Sequence, residues 1–158
     1  MIFVTTGTQL PFPRLIAAMD ALAPQLDERI IAQVGPDREH RAHIETHARL
    51  TPARFEELFG AARVVVAHAG IGSILSAKRM RRPLIIVPRR HDLGEHRNDH
   101  QQATAREVEG TPGLRIAWDM DDLPALLMVA SPAPTEPGLA PMSESLIARL
   151  QDFIASAR

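Results

Sequence analysis

The fold is decided by Arg63-Val64-Val65-Val66-Ala67-His68-Ala69-Gly70-Ile71-Gly72-Ser73-Ile74-Leu75 and the Pro83-Leu84-Ile85-Ile86-Val87-Pro88 that follows it. Arg63 to Ala67 reads as a β-branched strand, its Val64 to Ala67 apolar without interruption, the pattern of a strand covered on both faces. Gly70 and Gly72 make a turn, after which Ile71, Ile74, Leu75 and Met80 recur at helical spacing. Pro83 stops that helix, and Leu84 to Val87 is a second apolar strand closed by Pro88. Strand, glycine turn, helix and strand make a βαβ unit, which needs a parallel sheet.

The alternation extends in both directions. Ile2-Phe3-Val4 is a strand ended by Thr5-Thr6-Gly7-Thr8. A helix is expected from near Pro11, with Leu15, Ile16, Met19 and Leu22 on one face. Arg29 to Val34 is a strand closed by Gly35-Pro36, whereas Asp37 to Leu50 is polar and shows no period. Thr51-Pro52 caps a helix through Leu58. Beyond Pro88, a polar basic loop from Arg89 to Arg97 precedes a helix over Asn98 to Glu109, a strand at Leu114 to Ala117 and a helix from Asp121 to Val129. The class is α/β, a Rossmann-like doubly wound parallel sheet.

Residues 1–130 form one domain on this reading, consistent with a chain of 158 residues. Residues 131–142 hold four of the thirteen prolines without periodicity and read as a Pro-rich linker. Residues 143–158 read as an amphipathic helix capped by Ser143, with Leu146, Ile147, Leu150, Phe153 and Ile154 on one face. Hydrophobic residues at 45% and charged residues at 23% describe a globular chain. A net charge of −1 gives no support to nucleic-acid binding, and the absence of cysteine excludes disulfides, thiolate metal sites and a Cys nucleophile. Met1 to Thr6 lacks the basic and apolar regions of a signal peptide, and no apolar run approaches the roughly 20 residues that span a bilayer. The expectation is a cytoplasmic domain.

Ligands of open α/β sheets bind outside the carboxyl ends of the strands. Thr5–Gln9, His68–Ser73 and Arg89–His100 leave those ends and should converge on one crevice. Gly70 and Gly72 permit close backbone approach, and the following helix offers free N–H groups, so a phosphate fits there with the Ser73 hydroxyl as a further donor. A tight strand–helix turn needs glycine in any case, and with Leu75 and no third glycine this is not the dinucleotide fingerprint. Thr5 to Thr8 is either a simple turn or a ligand contact.

The segment Arg89 to Gln102 admits two readings. One is recognition of an anionic ligand by arginine and amide groups. The other is a metal held by His91, His96 and His100 with Asp92 or Asp99, which lacks the H-E-x-x-H pattern and is disfavoured. His40, His43 and His47 read as surface residues, and Trp118 as core.

Taken together, Met1–Thr8 with Pro11-Phe12, His68 to Leu75, Pro83 to Pro88 and Asn98-Asp99-His100-Gln101 resemble the C-terminal, donor-binding half of family 28 glycosyltransferases, the MurG-like GT-B group, from Met1 to about Ala130. Pro88-Arg89-Arg90 and Gly94 to Gln101 are most similar to free-standing donor subunits of the PssE type, found in bacterial exopolysaccharide glucuronosyltransferases. The resemblance implies that Gly70, Ile71, Gly72 and Ser73, with His68, Gly7 and Thr8, hold the pyrophosphate of a UDP-sugar. It places Asn98, Asp99, His100, Gln101 and Gln102 in the donor-sugar loop; by charge, Arg89, Arg90 and Arg97 are candidates for a uronate carboxylate or the diphosphate.

Ser76 stands where many members carry a ribose-binding Glu, and Lys78, Arg79, Arg81 and Arg82 replace small residues. The lost Glu and the basic loop favour UDP-glucuronate over the alternative, UDP-GlcNAc. The resemblance further implies inverting transfer without metal or cofactor. It also implies a partner, a membrane-associated, PssD-like acceptor-binding subunit expected to hold a lipid-linked acceptor, carry the general base and recruit this chain to the inner face of the membrane. A non-catalytic UDP-sugar-binding regulatory module is the reading from another class.

Overall fold

The computed structural model describes residues 1–129 and 134–135. The linker assigned to 131–142, apart from Pro134 and Thr135, and the helix assigned to 143–158 lie outside the described residues.

The elements run β1 (Ile2–Thr5), α1 (Pro13–Leu22), β2 (Ile30–Gln33), β3 (Glu45–His47), α2 (Pro52–Ala61), β4 (Val64–His68), α3 (Ile71–Met80), β5 (Leu84–Val87), α4 (His100–Val108), β6 (Leu114–Ile116) and α5 (Leu123–Leu127), with 3-10 turns at Ala23–Gln25 and Met120–Asp122. The strands form one six-stranded sheet in the order β3-β2-β1-β4-β5-β6, and every pairing is parallel. The chain winds outward from β1 to β3, returns to the centre at β4 and winds out the other way. Loops leaving β1 and β4 diverge to opposite faces, and a crevice opens between them.

Alternation along β1, with both faces covered, explains why Ile2, Phe3 and Val4 are all apolar. Ile2 and Val4 pack against Phe12, Leu15, Ile16 and Met19 of the α1 side and Leu123 and Leu127 of α5. Phe3 points the other way, onto Leu58 and Phe59 of α2, in a core shared with Ile74 and Ala77 of α3 and Ala105 of α4. Phe3 meets Phe55 edge-on at 5.4 Å between centroids.

Where boundaries differ from expectation, local chemistry explains the shift. Pro13, not Pro11, takes the first turn of α1, because Phe12 is drawn fully into the core. Helix α4 begins at His100 instead of Asn98, whose Oδ1 accepts from His100 N at 3.3 Å and holds the chain in a turn. Strand β3 was not foreseen. It is a short edge strand of polar residues, with Glu45 paired to Arg29 and to His47. The cap at Thr51 is as expected, its hydroxyl accepting from Arg54 N.

The amino end of the sheet is closed by Pro134 and Thr135. Thr135 Oγ1 donates to the Ala77 carbonyl at 2.6 Å and lies 3.1 Å from that of Arg82, at the end of α3 where Arg81 is left-handed (φ 51°). Gly113, at φ +76°, lets this segment pass, since a Cβ there would stand 2.3 Å from Pro134 C and Thr135 N. Among the described residues no helix is long and apolar enough to cross a membrane.

Candidate functional site

A cleft of about 300 Å³ opens at the carboxyl ends of β1, β4 and β5, lined by Thr6, Gly7, Thr8, Gln9, Leu10, His68, Arg89, His96 and Gln101. A hollow of about 330 Å³ at the opposite, amino end of the strands is lined by residues including Glu28, Arg63 and Met128. There Arg63 and the amino terminus are already paired with Glu28, and Arg63 also donates to the Leu127 and Val129 carbonyls, so the cleft is the better candidate for a polar ligand.

His68 is the last residue of β4, and its ring fills the gap between two loops. A Cβ on Gly7 would stand 3.1 Å from His68 Cε1, and one on Gly70 only 2.4 Å from Nε2. The sequence reading gave Gly70 to phosphate approach; the structure shows in addition that this glycine makes room for an imidazole. Burial first, and the Arg89 charge second, pull the His68 pKa down to about 4, which the Thr5 backbone only partly opposes. The ring is therefore neutral at neutral pH, and its buried Nδ1 lacks a partner of hydrogen-bonding geometry among the described residues.

Gly70, Ile71, Gly72 and Ser73 stand beside the cleft at the start of α3. Gly70 N donates to the His68 carbonyl at 2.7 Å and Ser73 N to that of Gly70 at 3.1 Å. Ser73 is buried, whereas Ile71 and Gly72 are exposed. A Cβ on Gly72 would meet nothing within 4 Å, so open space faces the first turn of the helix, where the Ile71 and Gly72 N–H groups precede the first intrahelical bonds.

Arg89 does not reach outward, as its place among the sugar-loop candidates suggested. Only 3% of the residue is exposed. Its Nη2 donates to the Thr6 and Leu10 carbonyls, each at 2.8 Å, and its guanidinium lies 4.9 Å from the centre of the Phe12 ring. Its backbone N donates to Gln101 Oε1 at 3.1 Å. Burial draws its pKa down to about 10, partly offset by Glu95, so it stays charged. No carboxylate is hydrogen-bonded to it among the described residues, and its buried Nε has no partner.

The other sugar-loop candidates separate by position. Arg90 forks onto Asp92 at 3.1 and 2.6 Å and lies 3.6 Å from Asp119; Asp92 raises its pKa, and its charge is already answered. Asn98 Oδ1 is bonded to His96 Nδ1 at 2.9 Å, and Asp99 accepts from Gln102 Nε2 at 3.0 Å. Arg97, Asp99 and His100 are exposed, while Gln101 is buried on the cleft wall. His91 Nδ1 is spent on the His96 carbonyl at 3.0 Å, and among the described residues no group of three or more His, Asp or Glu is placed to hold a metal.

Lys78, Arg79, Arg81 and Arg82 sit at the far end of α3, about 15 Å from Gly70 at 1.5 Å per residue. Arg79 is paired with Glu56. These residues do not address a ligand in the cleft.

Leu10, Arg14 and Glu95 were given no role by the sequence. Glu95 accepts from Arg14 Nε at 2.5 Å, from Arg14 Nη2 at 2.9 Å and from Arg90 N at 2.9 Å, which ties the loop after β5 to α1. Arg14 and Glu95 lie 81 residues apart, and no short-range pattern announces such a pair.

A doubly wound domain with a polar cleft at its switch point, an unbalanced buried cation and an open helix start is laid out to receive an anionic ligand. The chain belongs to the glycosyltransferase family 28 C-terminal domain family, which it matches over residues 1–127, and the domain is that of a glycosyltransferase. It is 40% identical over 77 residues to the UDP-N-acetylglucosamine transferase subunit ALG13 of Eremothecium gossypii, covering 48% of this chain. The matched stretch spans 36% of that relative's length.

Among solved structures it is similar to the solution structure of ALG13, with TM-score 0.62 and 19% identity over 92% of this chain and 93% of that one. It is also similar to MurG of Acinetobacter baumannii, with TM-score 0.56 and 16% identity over 79% of this chain and 39% of that one. The kitacinnamycin glycotransferase gives TM-score 0.59 and 20% identity over 80% and 33%. The expected architecture, that of the C-terminal half of a GT-B glycosyltransferase, is the one found.

Proposed function

We propose that this chain binds a UDP-sugar in the cleft and forms the donor half of a bipartite inverting glycosyltransferase. One observation carries the reading. The Arg89 guanidinium is buried, bonded to carbonyls and to no carboxylate, and its Nε stands unpartnered in the wall of the cleft. A buried charge of this kind is completed by an anion, and a nucleoside diphosphate supplies one. The orphaned His68 Nδ1 and the open start of α3 add to the same corner.

In this reading the diphosphate lies along Gly70, Ile71, Gly72 and Ser73, with Gly7, Thr8 and His68 beside it. The sugar faces His96, Gln101 and the loop that carries Asn98, Asp99, His100 and Gln102. The acceptor oxygen attacks the anomeric carbon, the bond from that carbon to the β-phosphate oxygen breaks, and UDP departs with the electron pair. Backbone amides of α3 and the Arg89 cation stabilise the charge gathering on the leaving group. The proton of the acceptor hydroxyl passes to a base on a membrane-associated partner, which holds a lipid-linked acceptor and keeps this chain at the cytoplasmic face.

For the sugar, we infer N-acetylglucosamine in preference to glucuronate. The relative from Eremothecium gossypii is named for that donor. The basic residues that favoured a uronate are engaged elsewhere: Arg89 with carbonyls, Arg90 with Asp92, and Lys78 to Arg82 at the wrong end of α3. Glucuronate transfer in exopolysaccharide synthesis is the second reading, supported by Ser76 and by exposed Arg97, which has no ion pair among the described residues.

The experiment is calorimetry of the chain assembled with its partner, using UDP, UDP-GlcNAc and UDP-glucuronate, followed by a transfer assay. UDP binding, a preference for UDP-GlcNAc and transfer only by the assembly are expected. Absence of UDP binding overturns the proposal, and binding without transfer by the assembly leaves a regulatory module. UDP-glucuronate preferred in the wild type and lost in Arg97→Ala would establish the second reading.

A further inference from the structure

We propose that the Arg14–Glu95 pair is a positioning device that sets the sugar side of the cleft and so governs which UDP-sugar is accepted, without contributing to the grip on the diphosphate. The inference rests on the donor-binding reading above.

The pair is built as a clasp. Both guanidinium nitrogens that Arg14 offers, Nε and Nη2, reach the two oxygens of Glu95 at 2.5 and 2.9 Å. Such a fork fixes direction as well as distance. The Glu95 side chain is only 10% exposed, and its Oε2 also takes the Arg90 N–H at 2.9 Å. Glu95 N donates back to the Arg90 carbonyl at 3.1 Å, and Gly94 N to that of His91 at 2.9 Å. Residues 90–95 are thereby a closed turn seated on α1.

The next residue is His96, a wall of the cleft. Its Nδ1 is bonded to Asn98 Oδ1, which also receives His100 N at the start of α4, and Gln101 follows on that helix as another wall. The orientation of His96 is thus inherited from where Glu95 is pinned, whereas Gln101 has a second anchor in the Arg89 N–H, which donates to its Oε1 at 3.1 Å. Glu95 itself is absent from the lining of the cleft, as is Arg14. The start of α3 is anchored separately, through Gly70 and His68 on β4. Loss of the clasp should therefore free one wall and leave the other.

The test measures Kd for UDP, UDP-GlcNAc and UDP-glucuronate on the full chain with its partner, for wild type, Glu95→Gln, Arg14→Lys and the exchanged pair Arg14→Glu/Glu95→Arg. The ratio of the two UDP-sugar affinities should collapse at least fivefold towards unity in Glu95→Gln and Arg14→Lys, with UDP affinity within twofold of wild type in Arg14→Lys, which keeps the Glu95 charge beside Arg89. The exchanged pair should recover part of the ratio. A thermal melt on each variant separates this from unfolding, which would remove UDP and UDP-sugars alike.

Parallel loss of all three ligands, an unchanged ratio, or a wild type that does not discriminate between the two sugars overturns the inference. If the wild type binds no UDP, the donor-binding reading falls first and this one with it. UDP binding with an unchanged ratio sinks this inference alone.

Discussion

His68 Nε2 stands 2.4 Å from where a Cβ on Gly70 would be. A glycine in a strand-to-helix turn is ordinarily explained by the backbone alone. Here it is also the partner of a side chain two residues earlier, and Gly7 yields to the same ring at 3.1 Å. Gly70→Ala should cost about 1–3 kcal/mol through the forced displacement of the imidazole, and weaken UDP binding with it. Gly72→Ala meets nothing within 4 Å; it should leave stability unchanged or raise it by up to about 1 kcal/mol from helix propensity, yet reduce UDP affinity at least tenfold. Urea unfolding and a UDP titration on the two variants check the contrast.

The same imidazole sets a pH dependence. Its folded pKa of about 4 lies below the ordinary 6.5, so between those values the unfolded chain binds the extra proton. Stability should be full above pH 6.5 and fall as pH drops towards 4, by about 3 kcal/mol in total from this group. Glu28, whose pKa is held down chiefly by its hydrogen bond to Arg63, adds a loss only below its ordinary 4.5. Denaturant midpoints measured across this range should flatten between pH 6.5 and 4.5 in His68→Gln.

Removing the buried cation exposes what it holds. Arg89→Met leaves the Thr6 and Leu10 carbonyls without their donor, and should cost about 2–4 kcal/mol. Arg89→Lys cannot span both carbonyls with the same fork and should restore only part. Equilibrium unfolding, with UDP affinity measured on whatever remains folded, gives both numbers.

At the opposite end of the sheet, Thr135→Val removes the hydroxyl bonded to the Ala77 carbonyl and should cost about 1–2 kcal/mol. Gly113→Ala, strained at φ +76° and blocked by the backbone of Pro134 and Thr135, should cost more. Thermal melts of the two variants test the order.

What the residues revealed in advance follows from range. Stretches such as Val64–Ala67 and Leu84–Val87 are apolar throughout because both faces are covered, and that pattern is local and strong. Strand β3 was invisible because an edge strand of Glu45, Thr46 and His47 has no apolar period to display. The turn at Gly70 and the loop that brings Gln101 to the cleft wall are legible in the residues; the engagement of Arg89 with Thr6 and Leu10, and of Glu95 with Arg14, is not. A basic residue next to a ligand and a basic residue holding a loop look identical in a sequence. Only burial and partner tell them apart.

Arg89 runs from the segment after β5 to carbonyls of the segment after β1, and Arg14 runs back from α1 to Glu95. Two ties crossing in opposite directions make the rim a closed circuit, in which neither arm swings away while the other stays shut. Amide protons at Gly7 and Arg90 should then exchange with solvent at a common rate, set by the breaking of ties that both arms share.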